Sequence, residues 1–163
     1  MTSGFHLAQI NIGRILAPLD APELRGFVDN LDRINALADA SPGFVWRLQG
    51  DGDSATDLRP FDDPMMLINM SVWTDLAALG AYVYRSGHIE IMRRRREFFE
   101  APDQPIMALW WVPVGTTPTV AEGIERLERL RLVGPTRDAF TFRQPFPPAA
   151  EADPVAPVLD ECA

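Results

Sequence analysis

The stretch MMLINMSVW, residues 65–73, constrains the fold more than any other part of this chain. Side chains alternate across a strand, so Met66, Ile68, Met70 and Val72 share one face, while Leu67, Asn69, Ser71 and Trp73 share the other. The first face is wholly apolar and is the expected helix-packing face. The second mixes an amide and a hydroxyl with apolar neighbours, which leaves it for a partner or a ligand.

Three more strands are expected at 5–12, 44–49 and 106–113, where Pro113 limits extension. A helix over 22–40 follows from the stripe of Leu24, Phe27, Val28, Leu31, Ile34 and Leu37, with Pro22 in its first turn and SPG, residues 41–43, ending it. A second helix over 75–100, capped by Thr74, is interrupted near Ser86 and Gly87. A further helix at 119–132 stops at Gly134-Pro135, and AFTF, residues 139–142, reads as a short added strand. The order strand, helix, strand, strand, helix, strand is that of an α+β ferredoxin-like βαββαβ protomer, here with an extra C-terminal helix. The expected domain spans 1–146; the Pro- and Ala-rich segment 147–163 reads as a tail.

Composition excludes several classes. The 163-residue chain has a formal charge of −8, which argues against nucleic-acid binding. No segment approaches the roughly 18 apolar residues of a membrane span, and the start lacks the pattern of a secretory leader, so a cytoplasmic location is expected. All 15 basic residues are arginine, which removes Schiff-base chemistry on a lysine side chain. One cysteine, Cys162, and two histidines make a structural zinc site improbable, so no metal is expected. The acidic loop DGDSATDLRPFDD, residues 51–63, has Ala55 and Thr56 where a calcium loop needs a ligand and a glycine. Against a calcium site it reads as a solvated loop, and its length between two strands suggests either disorder or a lid.

The run RRRR, residues 93–96, cannot share one helix face. At about 100° per residue, Arg95 returns to within about 20° of His88, inside an arc that Tyr84 and Met92 flank. Arg93, Arg94 and Arg96 point away from that arc. A guanidinium in an apolar arc needs partners. Arg95 therefore caps a neighbouring carbonyl, meets a second protomer, or anchors an anion beside the proton-transfer group His88. On the first strand Gln9 and Asn11 share a parity, so Gln9, Asn11, Asn69 and Ser71 either line a pocket, satisfy one another across a dimer interface, or meet solvent.

LAQINIGRI, LDRINALADASPGFVWRL, YRSGHIEIMRRRREFF, and LWWVPVGTTPTVAEGIERLERL followed by GPTRDAFTF together resemble an uncharacterised bacterial family of the dimeric α/β-barrel, antibiotic-biosynthesis-monooxygenase-like superfamily, over residues 5–146. The resemblance implies a homodimer whose two sheets close into a barrel. Relatives include cofactor-free monooxygenases, haem enzymes and members without known catalysis. The pair Asn69 and Trp73 looks like the Asn and Trp that line the site of the cofactor-free oxygenases. Asn11, Trp73 and His88 are similar to residues of the haem-degrading members. The acidic loop and the extra helix depart from the family pattern.

The reading that follows is a small-molecule-binding protein, a cofactor-independent monooxygenase acting on a small aromatic metabolite. Its catalytic residues would be Asn69, Trp73, His88 and Arg95; Gln9, Asn11, Ser71, Tyr84 and Met92 would bind substrate. Haem held by His88, or a non-catalytic ligand-binding dimer, are the alternatives.

Overall fold

Strand β1 (Phe5–Arg14) lies at the centre of the structure because both its neighbours need it. A computed structural model describes residues 4–149. In it β1 pairs antiparallel with β3 (Met66–Trp73) and with β4 (Met107–Pro113), and β2 (Phe44–Arg47) pairs with β3. The sheet order β2-β3-β1-β4 is the ferredoxin-like arrangement expected from the element order. β1 runs two residues beyond the expected Ile12 and ends at Arg14, which is tied to Asp63 and Glu100, each at 2.7 Å. β2 is shorter than expected and carries a bulge between Phe44 and Trp46.

Both expected long helices are broken, each by a side chain that competes for backbone bonds. The first is a 3-10 turn (Pro22–Leu24) followed by α1 (Arg25–Val28) and α2 (Leu31–Asp39). Asn30 Nδ2 donates to the Gly26 carbonyl at 2.7 Å at the junction between α1 and α2. The second becomes α3 (Leu76–Arg85), α4 (His88–Arg93) and α5 (Arg95–Phe98). Ser86 makes the expected break near Gly87: its hydroxyl donates to the Tyr82 carbonyl and accepts from His88 N. The cap of α3 is Asp75 rather than Thr74, accepting from Ala78 N at 2.8 Å. α6 (Val120–Val133) is capped by Thr119 and ended by Gly134 at φ 79°. Residues 139–142 form no strand, only isolated bridges, Leu109 with Phe140 and Thr136 with Ala139. Residues 147–149 are described; the rest of the expected tail, Cys162 included, lies outside the described residues.

One assignment is reversed. The apolar parity, with Ile10, Met70, Val72 and Trp110 buried, is covered by Leu127 and Leu130 of α6 and by Leu58 and Phe61 of the acidic loop. Gly123 makes that approach possible, since a Cβ there would meet the Met70 thioether at 2.9 Å. The helices of the βαββαβ unit instead cover the amide-bearing parity, where Ala38, Leu79 and Val83 pack with Leu7, Trp73 and Leu109. The space above the amides is therefore enclosed by the chain itself rather than left open to a second sheet. The physical reason is α6, which together with the acidic loop buries the apolar face. No helix among the described residues is long and apolar enough to cross a membrane.

Candidate functional site

The β1–β3 ladder supplies the floor of a cavity. Leu7 and Trp73, Gln9 and Ser71, Asn11 and Asn69, and Gly13 and Leu67 are direct register partners, so their side chains rise on the same face in successive rungs. A cavity of about 290 Å³ lies over them. Its walls come from α2 through Leu31 and Ile34, from α3 through Tyr82 and Val83, from α4 through His88 and Met92, and from α5 through Arg95.

The amides bond to one another, one of the outcomes the strand pattern left open, but within a single chain. Gln9 Nε2 donates to Asn69 Oδ1 and to Ser71 Oγ, both at 2.8 Å, and Asn11 Nδ2 donates to Gln9 Oε1 at 3.0 Å. Trp73 Nε1 donates to the same Ser71 Oγ at 2.8 Å. Gln9 and Ser71 are buried, so these bonds offset the desolvation of both groups. Asn69 is open, and its Oδ1 serves as acceptor; the Asn69 Nδ2 donor has no hydrogen-bond partner among the described residues. It is available to an oxygen in the cavity.

An aromatic stack rises from the Trp73 end. Phe44 meets Trp73 edge-on, Tyr82 stacks on Trp73 at 5.0 Å, and the His88 ring lies 4.8 Å from Tyr82. Burial pushes the Tyr82 hydroxyl far above the ordinary tyrosine value. Burial also holds His88 below the ordinary histidine value, opposed in part by the Val83 carbonyl. The imidazole is accordingly neutral at pH 7 and able to accept a proton. Its Nδ1 is buried and has no hydrogen-bond partner among the described residues.

Arg95 marks the opposite end. Its Nη2 donates to the Ile12 carbonyl at 3.3 Å, as the carbonyl-capping reading expects, and its guanidinium lies 4.7 Å over the Phe99 ring. It nevertheless lines the cavity. Burial draws its pKa below the ordinary arginine value, yet an arginine stays charged under any ordinary condition. Among the described residues it has no carboxylate partner, and no aspartate or glutamate lines the cavity. Arg93, Arg94 and Arg96 are exposed, as expected, and Arg94 pairs with Glu97.

Gln9, Asn11, Asn69, Ser71, Trp73, His88, Met92 and Arg95 thus all line one space. Tyr84 does not. It is half exposed and meets Phe142 edge-on, because the break at Ser86 separates its turn of helix from the His88 arc. Tyr82 takes the place expected of it; its spacing from Leu79, on the same helix face, was the available signal. Arg47 was also missed. Its side chain is buried and pairs with Asp39 and Asp53, each at 2.8 Å, and it fastens the acidic loop so that Ser54, Ala55 and Thr56 reach the cavity.

The residues do not fit a haem. A cavity of about 290 Å³ is at the lower limit for drug-sized ligands, and a porphyrin is larger. The His88 ring, which lines this small space, is packed 4.8 Å from the Tyr82 ring. No cluster of histidine, cysteine, aspartate or glutamate suited to a metal ion occurs among the described residues.

Solved structures to which the chain is similar include SnoaB from Streptomyces nogalater, described as a cofactor-independent oxygenase, at 20% identity and a TM-score of 0.47, covering 71% of this chain and 96% of that one. NE2512 from Nitrosomonas europaea, of unknown function, is 14% identical with a TM-score of 0.46, covering 71% and 95%. PA3566 from Pseudomonas aeruginosa is 15% identical with a TM-score of 0.46, covering 71% and 99%. No curated protein matches the chain. The profile of one family spans residues 6–156, nearly the whole of the sequence, and the chain belongs to that family, DUF3291, a domain of unknown function.

Proposed function

We propose that the cavity binds a small, largely apolar aromatic metabolite and oxidises it without a cofactor. One observation carries the reading: among the described residues, a neutral imidazole and a cation without a carboxylate partner line a space floored by amides, with no aspartate or glutamate in its lining. Such a space favours an anion over its neutral acid. His88 takes a proton from an acidic C–H or O–H of the substrate. The Asn69 Nδ2 donor holds the oxygen that becomes negative, Trp73 and Tyr82 form the wall against the ring, and Arg95 supplies a positive potential. The carbanion or enolate then reacts with dioxygen. Overall a ring CH2 becomes a carbonyl, with one oxygen atom retained and the other leaving as water with the two hydrogens.

The test uses anthrone as probe. Formation of the quinone with uptake of one dioxygen per molecule, and loss of turnover in His88→Ala and Asn69→Ala, is the expected result. Full turnover in both variants sinks the mechanism, and binding without conversion leaves a carrier. We further propose that the chain acts as a homodimer, a state in which the exposed Leu132 and Val133 of α6 are covered. Light scattering that gives the mass of one chain at all concentrations overturns this.

A further inference from the structure

Of the charged or titratable groups on the cavity wall, Arg47 is neutralised by Asp39 and Asp53 and Tyr82 is stacked on Trp73, while the other two, Arg95 and His88, stand at opposite ends of the floor. Arg95 is held at the Gly13–Leu67 rung, by its bond to the Ile12 carbonyl and by the absence of a side chain at Gly13. His88 is held at the other end, against Tyr82, which stacks on Trp73 of the Leu7–Trp73 rung. Along the helical segment, seven residues separate them, about 10 Å at 1.5 Å per residue. Between them lie the Gln9–Ser71 and Asn11–Asn69 rungs, which are polar but uncharged. Arg95 is thus remote from the atom that His88 serves, and its charge is permanent rather than called on only during reaction.

A mostly buried guanidinium whose only hydrogen bond among the described residues is one of 3.3 Å to a carbonyl retains unused donors. A carboxylate offers two acceptor oxygens in the plane of that fork, and a neutral group does not. Ile34, Val83, Ile91 and Met92 supply apolar parts of the same wall.

We infer that the substrate is an elongated aromatic monocarboxylate, bound with its carboxylate on Arg95 and its reacting ring against Trp73 and Tyr82. This rests on the ligand-binding reading above and names the class of molecule it takes. The amide rungs then meet the middle of the molecule, where Asn69 bonds a ring oxygen.

Calorimetric titration of the full chain with 2-naphthoate and with 2-naphthamide separates the two levels of the argument. The acid is expected to bind about tenfold more tightly than the amide. Arg95→Gln abolishes the difference, and Arg96→Gln, an exposed neighbour, preserves it. Circular dichroism of Arg95→Gln checks that it is folded; should it not be, the two probes on the unaltered chain decide the question. Equal binding of acid and amide overturns the carboxylate assignment and leaves the ligand pocket standing. Binding of neither probe overturns the assignment and the pocket together.

Discussion

Gly13 and Arg95 fit together because one of them has no side chain. A Cβ at Gly13 would lie 2.9 Å from Arg95 Nη2 and 2.6 Å from Cδ1 of Phe99. Gly13→Ala therefore must push both groups aside, and overpacking of this kind costs about 1–3 kcal/mol. Urea titration should show that loss, and calorimetry should show weaker binding of 2-naphthoate. A variant with unchanged stability and affinity means that Arg95 is free to move.

Ser71→Ala removes one acceptor shared by two donors, Gln9 Nε2 and Trp73 Nε1. The indole N–H is left in a buried setting with nothing to bond, at a cost of about 1–3 kcal/mol. Chemical denaturation checks it, with Ser71→Thr, which keeps the hydroxyl, as the comparison. Equal midpoints for Ala and the unaltered chain would falsify the accounting.

His88 makes stability depend on pH in a stated direction. Its pKa is lower in the folded chain than in the unfolded one, chiefly through burial, so the unfolded chain binds more protons in the interval between the two values. The contribution is complete above the ordinary histidine pKa of about 6.5 and is lost as pH falls through the folded value. The melting temperature should fall over that window, and His88→Gln should flatten the fall. A slope of the same size in the variant assigns it to other groups.

Arg47 ties the acidic loop to the sheet through Asp39 and Asp53, which themselves remain largely exposed. Because neither carboxylate is stranded when the arginine goes, Arg47→Ala should cost less than the ~3–5 kcal/mol typical of breaking a fully buried pair. Its main effect is on the loop: limited proteolysis should cut within residues 50–57 sooner than in the unaltered chain. Identical cleavage rates separate the loop from Arg47.

Tyr82 and Tyr84 offer a matched pair. Tyr82→Ala removes the ring between Trp73 and His88, a contact worth about 0.5–1.5 kcal/mol beyond its area, and should weaken aromatic ligands. Tyr84→Ala touches only Phe142 on the outside and should leave binding unchanged. Reversed effects would place the cavity on the other side of α3.

The sequence by itself determined the order of elements, the residues that share each strand face, and the exposure of all but one of the four consecutive arginines. These are properties of local periodicity, which every few residues repeat. They also brought His88 and Arg95 onto one side of a helical segment, a relation that survived the break at Arg94 between them, since both line the same cavity.

Tertiary structure alone decided which helices cover which face. A parity pattern says that Asn69 and Trp73 go together; it does not say whether α6 or α3 lies above them, because both helices carry apolar stripes of equal claim. The sequence showed the break near Ser86 and Gly87 but not the one at Asn30, for a related reason. Asn30 and Ser86 compete with backbone bonds through their side chains, and which bond wins depends on neighbours distant in sequence. Arg47 was hidden likewise, since a lone arginine in a short strand looks solvent-facing until Asp39 and the acidic loop close over it.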